Sequence, residues 1–169
     1  RNTGDDLIQE MSDHLERLCE PPIQVALRDY HAENLIWRPN ESGLARIGIL
    51  DFQDAFLAPR GYDLVSLLHD ARRNVDAKIR ADMIAKFTAE TAPFTDGALA
   101  CLAVQRNLRI LGIFARLARR DQKTRYVSLI PGLWSMICRD LLAPHLSKLK
   151  NVVMNTLPSP EKSTVADLL

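Results

Sequence analysis

An aspartate, a carboxamide and a second aspartate occur here in an order that suits phosphate chemistry. Asp29 and Asn34 stand five residues apart in the polar stretch Arg28-Asp29-Tyr30-His31-Ala32-Glu33-Asn34, and Asp51 follows the apolar approach Ile47-Gly48-Ile49-Leu50. One carboxylate can orient or deprotonate a hydroxyl. An amide and a second carboxylate offer the hard oxygen donors that hold Mg²⁺, and the set is what phosphoryl transfer from a nucleotide asks of a protein. Taken singly, Asp and Asn in a loop are turn formers. The selective feature is their conjunction with a short strand, a polar loop, a hairpin and then Ile49-Leu50-Asp51-Phe52.

The elements that must position these residues are legible in outline. Leu7, Ile8, Met11, Leu15 and Leu18 fall on one helical face that Pro21-Pro22 terminates. Residues 23–27 are rich in aliphatic side chains and predict a short strand leading into the polar loop. Leu35-Ile36-Trp37 and residues 45–50 flank the turn-forming run Pro39-Asn40-Glu41-Ser42-Gly43, which predicts a small hairpin with Asn34 at one end and Asp51 at the other. After Asp54 the pattern turns helical, over 63–71, 77–91 and 98–118. The last of these is apolar nearly all round, as the central helix of a bundle should be. Two more helices are expected at 122–130 and 133–142, around Pro131-Gly132, with a short one before the tail Thr156-Leu157-Pro158-Ser159-Pro160.

Composition limits the alternatives. At 169 residues the chain is large enough for one ordinary domain without disulfide or metal staples. Its 22 basic and 21 acidic residues leave a formal charge of +1, which gives no general attraction to nucleic acid or to an anionic membrane. Cys19, Cys101 and Cys138 are odd in number and lack metal spacing, which fits three small apolar side chains in a reducing, cytoplasmic setting. No run of 18 uncharged apolar residues is present, so no membrane span is expected. The start at Arg1, rather than Met, runs almost at once into helical periodicity, and the chain is read as a piece of a longer protein.

Leu27-Arg28-Asp29-Tyr30-His31-Ala32-Glu33-Asn34 resembles the catalytic loop of the aminoglycoside phosphotransferase and choline kinase superfamily, relatives of the protein kinases, and Ile49-Leu50-Asp51-Phe52-Gln53-Asp54 resembles its metal-binding segment. More narrowly, these motifs together with Tyr62-Asp63-Leu64-Val65-Ser66-Leu67-Leu68-His69-Asp70-Ala71-Arg72-Arg73 look like the bacterial branch that holds the cell-wall amino-sugar kinases acting at the anomeric hydroxyl. The resemblance runs roughly over 5–142. It implies a mostly helical C-terminal lobe of a kinase-like fold over 1–155, with the small β-hairpin embedded in it, followed by a polar tail at 156–169. It implies ATP and Mg²⁺ as cofactors and an amino sugar as acceptor, with no nucleic-acid or membrane partner. Asp29 becomes the catalytic base, Asn34 and Asp51 the metal ligands, and Asp63, Arg28 and His31 the residues bracing the loop. The family's N-terminal nucleotide lobe has no counterpart here, nor does any Gly-rich phosphate loop, so that lobe is an expected partner from the same polypeptide and the chain alone should be inactive.

The pattern departs from the family at two positions, since many relatives carry histidine where this chain has Leu27 and glycine where it has Arg28. Either Arg28 substitutes in part for the lost brace or the chain is a non-catalytic remnant used for binding or regulation. An aminoglycoside or a choline-like amine is the alternative acceptor. Gln53, Asp54 and Arg60 lie where a sugar held near Asp29 could meet them, or else cap their own loop. Arg106, on the apolar helix, must reach a cleft or a partner. Trp37 and Trp134 read as core or lobe-interface anchors.

Overall fold

In the computed structural model, which describes residues 3–160, the chain is mostly helical with two short antiparallel strand pairs. The elements in order are α1 (Thr3–Leu18), β1 (Gln24–Ala26), β2 (Leu35–Trp37), β3 (Ile47–Ile49), β4 (Phe56–Ala58), α2 (Tyr62–Leu68), α3 (Ala77–Glu90), α4 (Ala98–Arg119), α5 (Ile130–Asp140) and α6 (Ser147–Thr156). Single turns or short runs of 3₁₀-helix lie at Ala32–Asn34, Gly43–Arg46, Thr124–Leu129 and Pro144–Leu146. They divide into two compact units, one of Glu20–Ala92 and one made of the segments before and after it.

The flanking unit is a helical bundle. α4 packs along α5, and α1 along α6 and α4. Their apolar stripes meet in a core of Met11, Leu18, Cys101, Val104, Trp134, Ile137, Leu141, Leu146, Leu149 and Val153. α4 is long and apolar enough to cross a membrane by length and composition alone, although Arg106 and Arg109 interrupt it. The burial of Cys101, Leu102, Ala103, Val104 and Phe114 accounts for that composition as the core of a bundle. Cys19 Sγ lies 3.8 Å from Ala98 O, and hydrogen bonding with Cys19, followed by burial, pushes the Cys101 thiol well above the usual range. Glu10 and His14 are buried on α1, where Lys148 of α6 meets Glu10 at 2.6 Å.

The sequence pattern erred at the start of α5. Pro131 does not separate two helices as expected: it occupies the first turn of α5, where a missing N–H costs nothing. The helix expected at 122–130 is a 3₁₀ run that leads into α5. Most of the tail expected at 156–169 lies outside the described residues.

In the Glu20–Ala92 unit, β1 pairs with β4 in the register Gln24↔Ala58, Val25↔Leu57 and Ala26↔Phe56. β2 pairs with β3 through Leu35↔Ile49, Ile36↔Gly48 and Trp37↔Ile47. β4 was not foreseen. One face of the first pair is inward at Ala26 and Ala58, while Ile23, Val25 and Leu57 remain exposed. Trp37 is 60% exposed, with the Arg46 guanidinium 5.5 Å from its ring, so it is not a core residue of this unit, whereas Trp134 lies in the core of the flanking bundle. Phe56 stands edge-on to Tyr62 at 5.1 Å, fixing β4 against the start of α2.

Arg60 staples this unit together. It is 6% exposed, with Nη2 2.6 Å from Glu20 Oε1 and Nη1 donating to Thr91 Oγ1 and to Ala92 O at 3.0 and 2.7 Å. The guanidinium holds the Glu20 carboxyl below the usual glutamate range. A depressed folded-state pKa contributes stability above the ordinary value of 4.5, and that contribution is lost as pH falls through the lower folded value. Glu20 is partly exposed, so solvent screening keeps the term small. Glu20→Gln should therefore lower the denaturation midpoint at pH 7, and the gap from wild type should close on acidification below pH ~4. Urea titrations of the two proteins at both pH values provide the check, and a gap independent of pH would contradict the assignment.

Candidate active site

The polar loop leaves β1 through a tight reverse turn. Asp29 N–H donates to Leu27 O at 2.8 Å around Arg28, whose φ is 71°. That left-handed conformation is uncomfortable for any residue with a Cβ except Asn and Asp. The position is the one where many members of the resembled family have glycine, and the backbone supplies the reason. From there His31 N–H donates to Asp29 O at 3.0 Å and Asn34 N–H to His31 O at 2.9 Å, closing the loop onto the 3₁₀ turn Ala32–Asn34.

The Asn34 side chain is tied to the same carbonyl, Nδ2 donating to Asp29 O at 2.9 Å. A carbonyl can only accept, so the amide orientation follows from the contact, and Oδ1 is left as the acceptor end. Asn34 O in turn accepts Leu50 N–H at 2.9 Å across the hairpin. That bond, one residue from Asp51, brings the Asn34 and Asp51 positions to the same end of the β2–β3 pair. Asp51 is exposed, has φ 58° and accepts a short hydrogen bond from Gln53 Nε2 on Oδ1. Among the described residues only Arg28, Asp51 and Gln122 combine a side chain with positive φ. Two of those three bracket this loop and hairpin; Asp51 tolerates the conformation, while the strain at Arg28 persists because its surroundings over-determine it.

α2 grips the start of the loop. Gly61, at φ 90°, turns the chain into the helix so that Asp63 falls in its first turn. The Asp63 carboxylate, half-buried, accepts Leu27 N–H at 2.7 Å on Oδ2 and Arg28 N–H at 3.2 Å on Oδ1. Ser66, one turn on and fully buried, donates to Arg28 O at 3.3 Å. Arg28 is thus held by its backbone, while its guanidinium lies 3.6 Å from Asp54 in an exposed pair. Ser66 was not foreseen, although its place three residues after Asp63 puts it on the same helix face.

The remaining candidates are distributed differently. His31 is half-buried with Nδ1 lacking a hydrogen-bond partner, so the bracing expected of it is not made through that nitrogen. Gln53 and Asp54 are engaged by Asp51 and Arg28 within the loop itself. Arg60, expected as a possible substrate contact, is turned inward to Glu20, Thr91 and Ala92, because a buried guanidinium must satisfy its N–H groups within the protein. Arg106 belongs to the other unit, buried on α4 with Nη1 3.4 Å from Asn107 Oδ1.

Among the described residues no three His, Cys, Asp or Glu side chains form a metal cluster. The donors at the loop are one carboxylate and one carboxamide. That set suits Mg²⁺, which keeps several waters and is completed by phosphate oxygens, and it would not suit a structural site for Zn²⁺.

Residues 2–98 match the profile of the phosphotransferase enzyme family APH. The chain is 48% identical over 130 residues to the N-acetylmuramate/N-acetylglucosamine kinase of Caulobacter vibrioides, covering 73% of this chain and 35% of that protein. Its likeness to the kinase of the same name from Neisseria meningitidis serogroup B is 36% over 132 residues, covering 72% and 38%. The Pseudomonas aeruginosa kinase of that name is 32% identical over 150 residues, covering 78% and 43%. The chain thus spans 35–43% of the length of these curated relatives. With more than half of its residues inside the family profile, including the loop, the hairpin and α2 that holds them, the chain belongs to the phosphotransferase enzyme family, on the side of its amino-sugar kinases.

Proposed function

We propose that this chain is the catalytic lobe of a kinase that moves the γ-phosphoryl group of ATP to a hydroxyl of an amino sugar. N-acetylmuramate and N-acetylglucosamine are the acceptors that the relatives' names point to. The observation that carries the reading is the loop held by Asp63, in which Asp29 O anchors the Asn34 amide and Leu50 N–H draws the Asp51 position alongside. Asp29 orients the acceptor hydroxyl and takes its proton as the oxygen attacks phosphorus. Asn34 Oδ1 and the Asp51 carboxylate are the donors that would hold Mg²⁺, whose positive charge offsets that of the phosphates when it is bound. Gln53 restrains the Asp51 carboxylate against rotation.

The other half of the nucleotide site, in this reading, comes from further residues of the longer protein. Val25 and Leu57 on the β1–β4 pair and Ile23 just before it are each 60% exposed or more, and Ile36, Trp37 and Phe52 add to the apolar surface of the same unit. Apolar area on that scale is unusual for a surface that faces only water, and a second lobe of the same polypeptide is the proposed cover.

The test is an acceptor panel on the intact protein with ATP and Mg²⁺, comparing N-acetylated amino sugars, aminoglycosides and choline-like amines. Turnover is expected with the N-acetylated sugars. A preference for the cationic acceptors would move the assignment to an aminoglycoside or choline-type phosphotransferase, and failure with every acceptor would favour a non-catalytic remnant.

A further inference from the structure

α2 grips the start of the loop through Asp63, and the segment that leaves its far end grips the loop's other terminus. Asp70, two residues beyond α2, has a side chain that is 1% exposed. Its Oδ1 accepts Arg72 N–H at 3.0 Å and lies 3.3 Å from Arg72 Nη1. A buried carboxylate without a cation would be costly, so Asp70 fixes the Arg72 guanidinium in place. The same guanidinium reaches outward through Nε to Glu33 Oε2 at 3.1 Å. Glu33 is the middle residue of the 3₁₀ turn Ala32–Asn34, and Asn34 is the next residue.

We infer that Arg72 is a positioning residue for Asn34, bridging buried Asp70 to Glu33 and so locking the turn that presents the Asn34 amide. An exposed Lys–Glu pair would do this poorly, because both long side chains must be ordered for a weak attraction. Here one end of the bridge is already ordered by burial. The planar fork directs Nε and Nη1 to separate carboxylates at once, which a lysine ammonium on a flexible stem cannot reproduce. α2 and the segment that follows it thereby splint the loop at both ends, with Asp63 at residues 27 and 28 and the Asp70–Arg72 pair at residue 33.

The inference rests on the proposed reading of Asn34 as a Mg²⁺ ligand, and the experiment separates the two. In the intact protein, Arg72→Ala, Arg72→Lys, Glu33→Gln and the Glu33→Gln/Arg72→Ala double variant are compared by amide hydrogen exchange over residues 30–36. The apparent Mg²⁺ requirement at saturating ATP is measured on the same proteins. Expected are faster exchange in that segment and a Mg²⁺ requirement raised about two- to fivefold, with kcat at saturating Mg²⁺ close to wild type, as loss of one partly exposed ion pair implies. Arg72→Lys should fall between wild type and Arg72→Ala, and the double variant should be no worse than the worse single. If Arg72→Ala fails to fold with Asp70 left unpaired, Glu33→Gln keeps the Asp70 pair intact and carries the test. Unchanged exchange over 30–36 in Glu33→Gln, or additive effects in the double variant, would overturn the bridge. An Asn34→Ala protein with an unchanged Mg²⁺ requirement would instead remove the metal-ligand reading, leaving the exchange result to judge the bridge by itself.

Discussion

Asp29→Ala in the intact protein is expected to lower acceptor-dependent phosphotransfer by about 10²–10⁴-fold, the range a positioned acid–base group contributes, with its thermal melt close to wild type. The fold is expected to survive because the bonds that shape this loop use the Asp29 backbone, not its carboxylate. Asp29 N–H donates to Leu27 O, and Asp29 O accepts from His31 N–H and the Asn34 amide. Alanine keeps all of these. Asp29→Asn, which can still accept a hydrogen bond but cannot take a proton, should be nearly as impaired if deprotonation is the main role and distinctly more active if orientation suffices. Steady-state assays of both variants beside a melting curve decide the matter. Turnover within tenfold of wild type for Asp29→Ala would remove the proposed catalytic role.

Asp63→Ala is expected to damage stability and turnover together. The carboxylate is half-buried and takes the N–H groups of Leu27 and Arg28, at 2.7 and 3.2 Å, from the residues that open the loop. Hydrogen bonds to an ionised acceptor contribute about 1.5–3 kcal/mol each, so a loss of about 3 kcal/mol is expected. Asp63 also lies in the first turn of α2, where a negative charge interacts favourably with the helix dipole. Asp63→Asn should recover part of this loss, since one amide oxygen can serve one of the two donors. The measurement is the denaturant midpoint at constant m-value, read beside kcat. A midpoint within experimental error of wild type for Asp63→Ala would reduce the residue to an ordinary helix-start acid.

What could be read from the chain, and what could not, divides by range. The β2–β3 hairpin was legible because the turn run 39–43 is bounded on both sides by apolar segments, and Arg38 N–H to Arg46 O extends the pairing to the turn. α1 and α4 were legible because their periodicity lasts several turns. β4 was missed because Phe56-Leu57-Ala58 is too short to display alternation, and its partner β1 lies thirty residues earlier. Arg60 was misjudged for the same reason. A charged residue after a polar loop reads as exposed until Glu20, forty positions away, is seen to meet it. The bridge from Asp70 through Arg72 to Glu33 is of this kind as well, because nothing local in Asp70-Ala71-Arg72 announces that its target is in the loop ahead of the hairpin.

The left-handed backbone at Arg28 has a consequence for how this family can vary. At φ 71° the position favours glycine, so any other residue survives there only while its side chain offsets a steric cost of about 1 kcal/mol. Arg28 has Asp54 as that recompense, at 3.6 Å. The two residues are therefore tied in their history. A lineage that loses the acid at position 54 removes the reason to keep arginine at 28, and drift there should run toward glycine. A lineage that already has glycine gains little from an acid at 54. Reading the two columns together across descendants of this chain would recover a backbone dihedral angle from nothing but the pattern of inherited substitutions.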